Sequence, residues 1–306
     1  MHRGIALGAA LAAASLSCAS AAQAAEARPW SLAVSAGYEY DSNVTVEQTD
    51  VNTGVGDSAA DLGVDASYRL IGKTDGPQLR ASYGFSQSLH ATQTAFDIQS
   101  HVASLSGSVP VGKATAGLDY SFFHMLLGGR SFLDMHMASP SVSGFVARNL
   151  YARASYTYFD KSFAPAYANR DAHTHQAGAD LYYFFDRARA FVTVGGRYEA
   201  ENTVDPQLVF RGYVLNADLQ LPVEVIGRRG KIKLGYAYRR RDYDNVTVSL
   251  GAKRWENRSV FKVAAETPLV GRLSLHALYQ YTDRSSNYLA ANYTENQVSA
   301  GLKYAF

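Results

Sequence analysis

From Trp30 to the C-terminus, apolar and polar side chains take turns along this sequence, one residue at a time, in runs broken by turn-forming residues. In residues 30–40, Trp30, Leu32, Val34, Ala36, Tyr38 and Tyr40 fall on one parity, and Ser31, Ala33, Ser35, Gly37 and Glu39 on the other. An extended strand sends successive side chains to opposite faces, so this period of two yields one apolar face and one polar face. The next run sets Ala60, Leu62, Val64, Ala66, Tyr68 and Leu70 against Asp61, Gly63, Asp65, Ser67 and Arg69. The design repeats in 79–85, 116–122, 150–158, 177–185, 190–198, 213–221, 232–238, 261–265, 273–281 and 298–306. Two more runs, 96–109 and 133–146, alternate less cleanly, and Pro140 predicts a bulge or bend in the second. The expectation is an all-β fold of about 14 antiparallel strands.

Such strands can pack as a soluble sandwich or close into a membrane barrel. A sandwich core would be dominated by Leu, Ile and Val. Here aromatic residues gather at the ends of the runs. Tyr38 and Tyr40, Tyr83 and Phe85, Tyr120 and Phe122, Tyr156 and Tyr158, and Tyr279 and Tyr281 close odd runs. Tyr68, Tyr183 and Phe185, and Tyr304 and Phe306 close even ones. That makes two girdles, one at each water boundary, as interfacial aromatics require in a membrane barrel. No charged residue lies on the apolar parity of the clean runs. A Lys or Arg facing mid-bilayer lipid costs about 2–4 kcal/mol, which accounts for the exclusion.

Connections after odd runs are mostly long (41–57, 124–132, 160–172, 242–253, 284–292), and those after even runs mostly short (72–76, 111–113, 147–149, 186–189, 267–271). Short turns belong in the periplasm and long loops outside. The reading is a transmembrane up-and-down β-barrel of the outer membrane of a Gram-negative-type cell, with both chain ends in the periplasm. No stretch of ~18 continuous apolar residues after the N-terminal segment offers a spanning helix.

Residues 1–24 read as a signal peptide, with Arg3, an Ala-rich apolar run from Ile5 to Leu16, and a cleavage site at Ala22-Gln23-Ala24. The barrel then occupies 25–306. The one Cys, Cys18, lies in the signal, so the processed chain has no disulfide or thiolate chemistry. The net charge of +2 is well mixed and lacks the clustered basic face of a nucleic-acid binder. Outer-membrane lipid and the barrel assembly machinery are the expected partners.

On the polar parity, acids come early (Glu39, Asp61, Asp65, Asp119), interrupted by Arg69 and Arg80, and bases late (Lys231, Lys233, Arg239, Arg241, Arg258, Lys262, Lys303), with Glu266 among them. The last strand pairs with the first in a closed wall. These residues therefore predict either lumen walls of opposite sign or groups that pair and fill the lumen. A ring of this size has a backbone diameter near ~28 Å, room for open lumen unless a loop plugs it. His90, His101, His124, His136 and His276 are scattered without a nucleophile motif. His173 and His175 share a strand face but have no Cys or carboxylate cluster beside them. The expectation is no enzyme, no metal and no cofactor.

Two segments resemble a known family. Gly37-Tyr38-Glu39-Tyr40-Asp41-Ser42-Asn43-Val44 resembles the first-strand signature of the surface lipoprotein assembly modifier barrels. Arg284-Ser285-Ser286-Asn287, then Tyr293-Thr294-Glu295-Asn296-Gln297-Val298 and Tyr304-Ala305-Phe306, resembles their final hairpin. The resemblance implies a barrel that assists lipoprotein export, with Tyr40, Asp41, Ser42, Asn43, Val44, Ser286 and Asn287 as motif residues. Family members carry periplasmic tetratricopeptide repeats before the barrel, where this sequence has only residues 25–29 after the expected cleavage site. Exported lipoproteins and a separate periplasmic repeat protein are the implied partners. The terminal Phe306 resembles the assembly signal of bacterial outer-membrane barrels. Read by chemistry alone, Asp41-Ser42-Asn43 is a turn former, whose side chains bond their own backbone. Three function classes stay open: a translocator, a porin for small solutes or ions, and an enzyme or adhesin acting through the outer loops, the last disfavoured.

Overall fold

A computed structural model describes residues 28–72, 76–225 and 227–306. The expected signal peptide, residues 1–24, lies outside the described residues. Fourteen strands form one closed antiparallel barrel, β1 (Trp30–Asp41), β2 (Asp57–Gly72), β3 (Gln78–His90), β4 (Ile98–Val111), β5 (Ala114–Leu127), β6 (Arg130–Ala147), β7 (Leu150–Phe163), β8 (Ala172–Phe185), β9 (Ala190–Thr203), β10 (Phe210–Val225), β11 (Arg228–Thr247), β12 (Ala252–Val270), β13 (Leu273–Ser286) and β14 (Tyr293–Ala305). Each strand pairs with its sequence neighbours, and β1 pairs with β14, so the wall has no free edge. This is the closed antiparallel barrel that the alternation predicts.

Sidedness follows from the same period. The apolar parity faces outward: Tyr38, Leu62, Leu118, Tyr156, Val194, Leu215 and Leu302 are all exposed. The polar parity faces inward: Ser121, Thr157, Asp180, Thr193, Glu199, Gln280 and Ser299 are all buried. Exposed apolar and buried polar surface is the inverse of a soluble domain and suits a wall between lipid and an enclosed lumen. At the closing seam, Gly37 faces Gly301, and a Cβ on Gly37 would meet the Ala300 carbonyl oxygen at 2.9 Å. These two strands approach closely there because neither residue carries a side chain.

Two expectations from the sequence need correction. Residues 124–132 and 242–253 are not long loops. β5 and β6 continue to a two-residue turn at Gly128 and Gly129, both at positive φ (56° and 74°). β11 and β12 run 20 and 19 residues. A tilted strand needs only about 9–11 residues to cross the hydrocarbon, so these hairpins project beyond it. Pro140 also produces no bulge. It pairs with Leu118 of β5, and the β6–β7 register is the same at Ala138↔Tyr158 as at Ser141↔Ser155. The register shifts fall instead at Met125/Leu126 and Phe145/Ala147.

The loop between β1 and β2, residues 42–56 and here called L1, departs most from expectation. It does not extend outward but folds back into the lumen. A two-residue ladder, Thr45–Val46 against Val51–Asn52, brackets a helical turn at Glu47–Thr49. Asp50 closes that turn in the left-handed region at φ 58°. The apolar Val46 packs into a cluster with Ile98, Met125, Phe132, Leu133, Met135, Met137 and Phe159 on the inner side of β4 to β7. The inward parity of β6 is therefore apolar at Leu133, Met135 and Met137, where a lumen-facing strand is ordinarily polar, and this blurs the alternation of 133–146 in sequence.

Candidate functional site

The lumen is organised around L1. Its two charged residues, Glu47 and Asp50, reach the opposite wall. Glu47 accepts from Arg239 of β11 and Arg258 of β12, each at 2.7 Å. Asp50 accepts from Arg284 of β13 at 2.5 Å and pairs with Arg254 of β12 at 3.4 Å. Arg170, on the loop between β7 and β8, pairs with Asp50 and donates to the carbonyls of Gln48 and Thr49, each at 3.0 Å. Alternation explains this convergence. Arg239, Arg254, Arg258 and Arg284 all sit on inward parities of adjacent strands, so they form one basic ladder.

The arginines also bind acids of their own wall. Arg254 and Arg284 both bridge to Glu256, and Arg241 and Arg239 lie 3.4 and 3.8 Å from Glu199. Arg241 further stacks on Phe210, 4.3 Å from the ring centre. Burial pushes the Glu47 and Asp50 carboxyls up, but the guanidiniums outweigh it. Arg258 then Arg239 hold Glu47 well below the usual carboxylate range, and Arg284 then Arg254 hold Asp50 at about 2. Both stay ionised at neutral pH, so L1 is held by charge on one side and by Val46 on the other.

L1 lines cavities on both of its sides. One, of about 170 Å³, lies against β1–β3 and β13–β14 and is lined by Glu39, Asp61, Asp65, Arg258 and Lys303 among others. The second, of about 120 Å³, lies against β6–β11 and includes Lys161, Glu201, Arg239 and Arg241. The remaining residues expected in the lumen are paired or share neighbours. Asp119 meets Arg153 at 3.1 Å, Lys231 meets Glu266 at 2.8 Å, and Lys303 meets Asp65 at 3.1 Å. Lys233 and Lys262 share Asp218 as an acidic neighbour. Two bare walls of opposite sign do not face each other, because L1 covers the basic ladder with acids.

The motif residues hold the root of L1 and the neighbouring hairpin. Asp41 accepts from the Asn43 amide and from Gln297, at 2.8 and 3.1 Å. Ser42 pairs with Asn296 through both its amide and its hydroxyl, at 2.9 and 2.8 Å. Asn43 accepts from Gly54 at 2.8 Å, and Val44 exchanges backbone bonds with Thr53 and Val55. Ser286 donates to the Trp255 carbonyl at 2.6 Å, and Asn287 donates to the Lys253 carbonyl at 2.9 Å. Tyr40 stays outside, exposed. Phe306 is 48% exposed at the turn end, with its ring against Tyr304 and its amide on the Leu32 carbonyl at 2.8 Å.

The sequence does not reveal Glu47, Asp50, Arg170, Arg254, Arg284, Glu199 or Glu256 as a group. The available signal was an excess of late basic residues over the two acids, Glu256 and Glu266, that share their strand pattern. Glu47 and Asp50 are the only charged residues of L1. His173 and His175 lie on the outer face, each ring bonded to a tyrosine hydroxyl, at 2.9 Å (Tyr158) and 2.5 Å (Tyr156).

A closed wall with a lipid-facing exterior, two aromatic girdles and a charged lumen defines an outer-membrane β-barrel. Solved structures share this fold. A loop L8 deletion mutant of OmpT, an outer membrane protein of Vibrio cholerae, is similar at a TM-score of 0.52 and 11% identity, over 90% of this chain and 99% of that one. The outer-membrane expressed OmpT of Vibrio cholerae matches at 0.52 and 10% identity, over 93% and 100% of the two chains. An anion-selective porin from Comamonas acidovorans matches at 0.50 and 11% identity, over 90% and 98%. At these identities the likeness shows the fold alone. No family model matches the chain, and no curated protein matches its sequence. The likeness overturns one expectation. A barrel scaffold shared with OmpT as well as with a porin is compatible with an outer-membrane enzyme and with a pore alike. Scattered histidines are no ground for excluding catalysis, and the expectation of no enzyme is withdrawn.

Proposed function

We propose that the chain is an outer-membrane channel for small charged solutes, with L1 as the constriction that sets what passes. One observation carries this reading: the only two charges of L1 sit on five arginines, four from the lumen wall and one from a neighbouring loop, so the passage is narrowed by a charged and removable element. A wall of this diameter would otherwise leave a wide pore, and an inserted loop of fixed charge gives it selectivity.

The alternative, a surface lipoprotein assembly modifier working with a separate periplasmic repeat protein, draws on the 37–44 and 284–306 segments alone. The Asp41, Ser42, Asn43, Ser286 and Asn287 side chains there are taken up by bonds to the chain itself, Val44 is buried and Tyr40 is exposed. The test is conductance of the detergent-folded protein in planar bilayers. Wild-type protein should show discrete small steps, and the double variant Glu47→Gln with Asp50→Asn should show larger ones. Absence of any step in both would reject the channel.

A further inference from the structure

The larger cavity presents acceptors without matching donors. Glu39 points into it from β1 and, among the described residues, makes no hydrogen bond or ion pair. Its charged neighbours are Asp61, Asp41 and Glu295. Basic side chains that line the cavity are already engaged by other acids. Arg258 holds Glu47 at 2.7 Å, Lys303 holds Asp65 at 3.1 Å, and His90 holds Asp97 at 3.2 Å. A second, independent observation points the same way. Ser299 and Gln280 also line the cavity and are 95% or more buried, at 5% and 4% exposure. Among the described residues, the Ser299 hydroxyl and the Gln280 carbonyl oxygen have no hydrogen-bond partner. Ser299 lies directly across the seam from Glu39 in the β1–β14 register. Buried polar atoms are rarely left unpaired, so an unmet acceptor beside an unmet carboxylate marks a place for a donor.

We propose that this cavity is a binding site for a small organic ammonium ion, an alkyl mono- or diamine, held by Glu39 with Asp61, Glu295, Gln280 and Ser299. The transport role of the site rests on the channel reading above. Several features select this class of ligand. The acids belong to three strands and, among the described residues, no group of three stands close enough to hold a metal ion. An ammonium group brings three N–H donors and a positive charge, which matches a ring of carboxylate, amide and hydroxyl oxygens. Phe96, Ile98 and Leu278 line the same cavity and give an alkyl stem its apolar contact. The volume of about 170 Å³ holds on the order of ten waters, enough for such a stem. L1 reinforces the selection, because Glu47 neutralises Arg258, a base that lines the same cavity.

The experiment is calorimetric titration of putrescine into the full barrel folded in detergent, with butane-1,4-diol as the uncharged control. Saturable binding of the diamine is expected, with none of the diol. Glu39→Gln should weaken binding at least tenfold while the heat-modifiable gel shift of the folded barrel persists. Asp61→Asn is the second variant, kept in case the first fails to fold, and should weaken binding by a similar factor. No binding to wild-type protein, equal binding of the diol, or unchanged affinity in a folded variant would overturn the proposal. Conductance of the same preparation separates the two readings. Current without diamine binding rejects the ammonium site and leaves the channel, and binding without current rejects the channel.

Discussion

Glu47 and Asp50 stay charged in a place that burial alone would make them neutral, and the arginines around them decide the outcome. Removing either acid would leave the ladder with an uncompensated buried charge, which is more costly than replacing a whole pair with apolar groups. The same balance fixes the pH response of L1. Both carboxyls ordinarily titrate near 4.5 and 3.8, and both are lowered in the lumen, Asp50 to about 2. A depressed carboxyl contributes its holding energy fully above its ordinary value and loses it as pH falls through the depressed one. L1 should therefore remain seated from pH 8 down to about 5, weaken progressively below about 4, and release only as pH falls through about 2. Single-channel conductance measured across this range should be flat and then rise at the acid end. A step between pH 5 and 7 would mean that some other group controls the loop.

At the scale of the element, L1 works as an adaptor between unlike walls. Val46 meets the apolar cluster of β4 to β7, and Glu47 and Asp50 meet the basic ladder of β11 to β13. Excising residues 46–52 and bridging the gap with a short Gly-Ser linker should enlarge the conductance. It should also move selectivity toward anions, because Arg239, Arg254, Arg258 and Arg284 would lose two covering acids. Reversal potentials in a KCl gradient measure this, and an unchanged ion preference would show that the ladder does not control passage. The strands were legible in the sequence because period-two alternation is imposed locally, by lipid on one side of each residue and lumen on the other. β6 blurred that signal because Leu133, Met135 and Met137 face an apolar lumen patch instead of water. The inward fold of L1 was not legible. Fifteen residues with two acids look the same whether they extend or return, and the partners that decide are up to 234 positions away, at Arg284. The basic residues of β11 to β13 outnumber Glu256 and Glu266 on the same wall and demand further acids, but alternation says nothing of where those acids come from.

For the whole molecule, the decisive quantity is the cost of a charge on each side of the wall. Val194 lies mid-strand on the outward parity of β9 and is 53% exposed, while Gln176 of β8 faces the lumen cavity that Glu199 and Glu201 also line. An arginine at Val194 would place a guanidinium against hydrocarbon at a cost of about 2–4 kcal/mol. An arginine at Gln176 would meet the carboxylate across from it, since Gln176 pairs in register with Glu199. Val194→Arg should therefore cut the folded fraction in lipid vesicles sharply, read from the heat-modifiable gel shift, and Gln176→Arg should leave it close to wild type. The two substitutions add the same side chain to the interiors of adjacent paired strands, so local strand propensity cannot separate them. Only which face is wet can. Equal folding of both would mean that the exposed tyrosines, leucines and valines of the outer wall meet water, and the membrane assignment would fall with it.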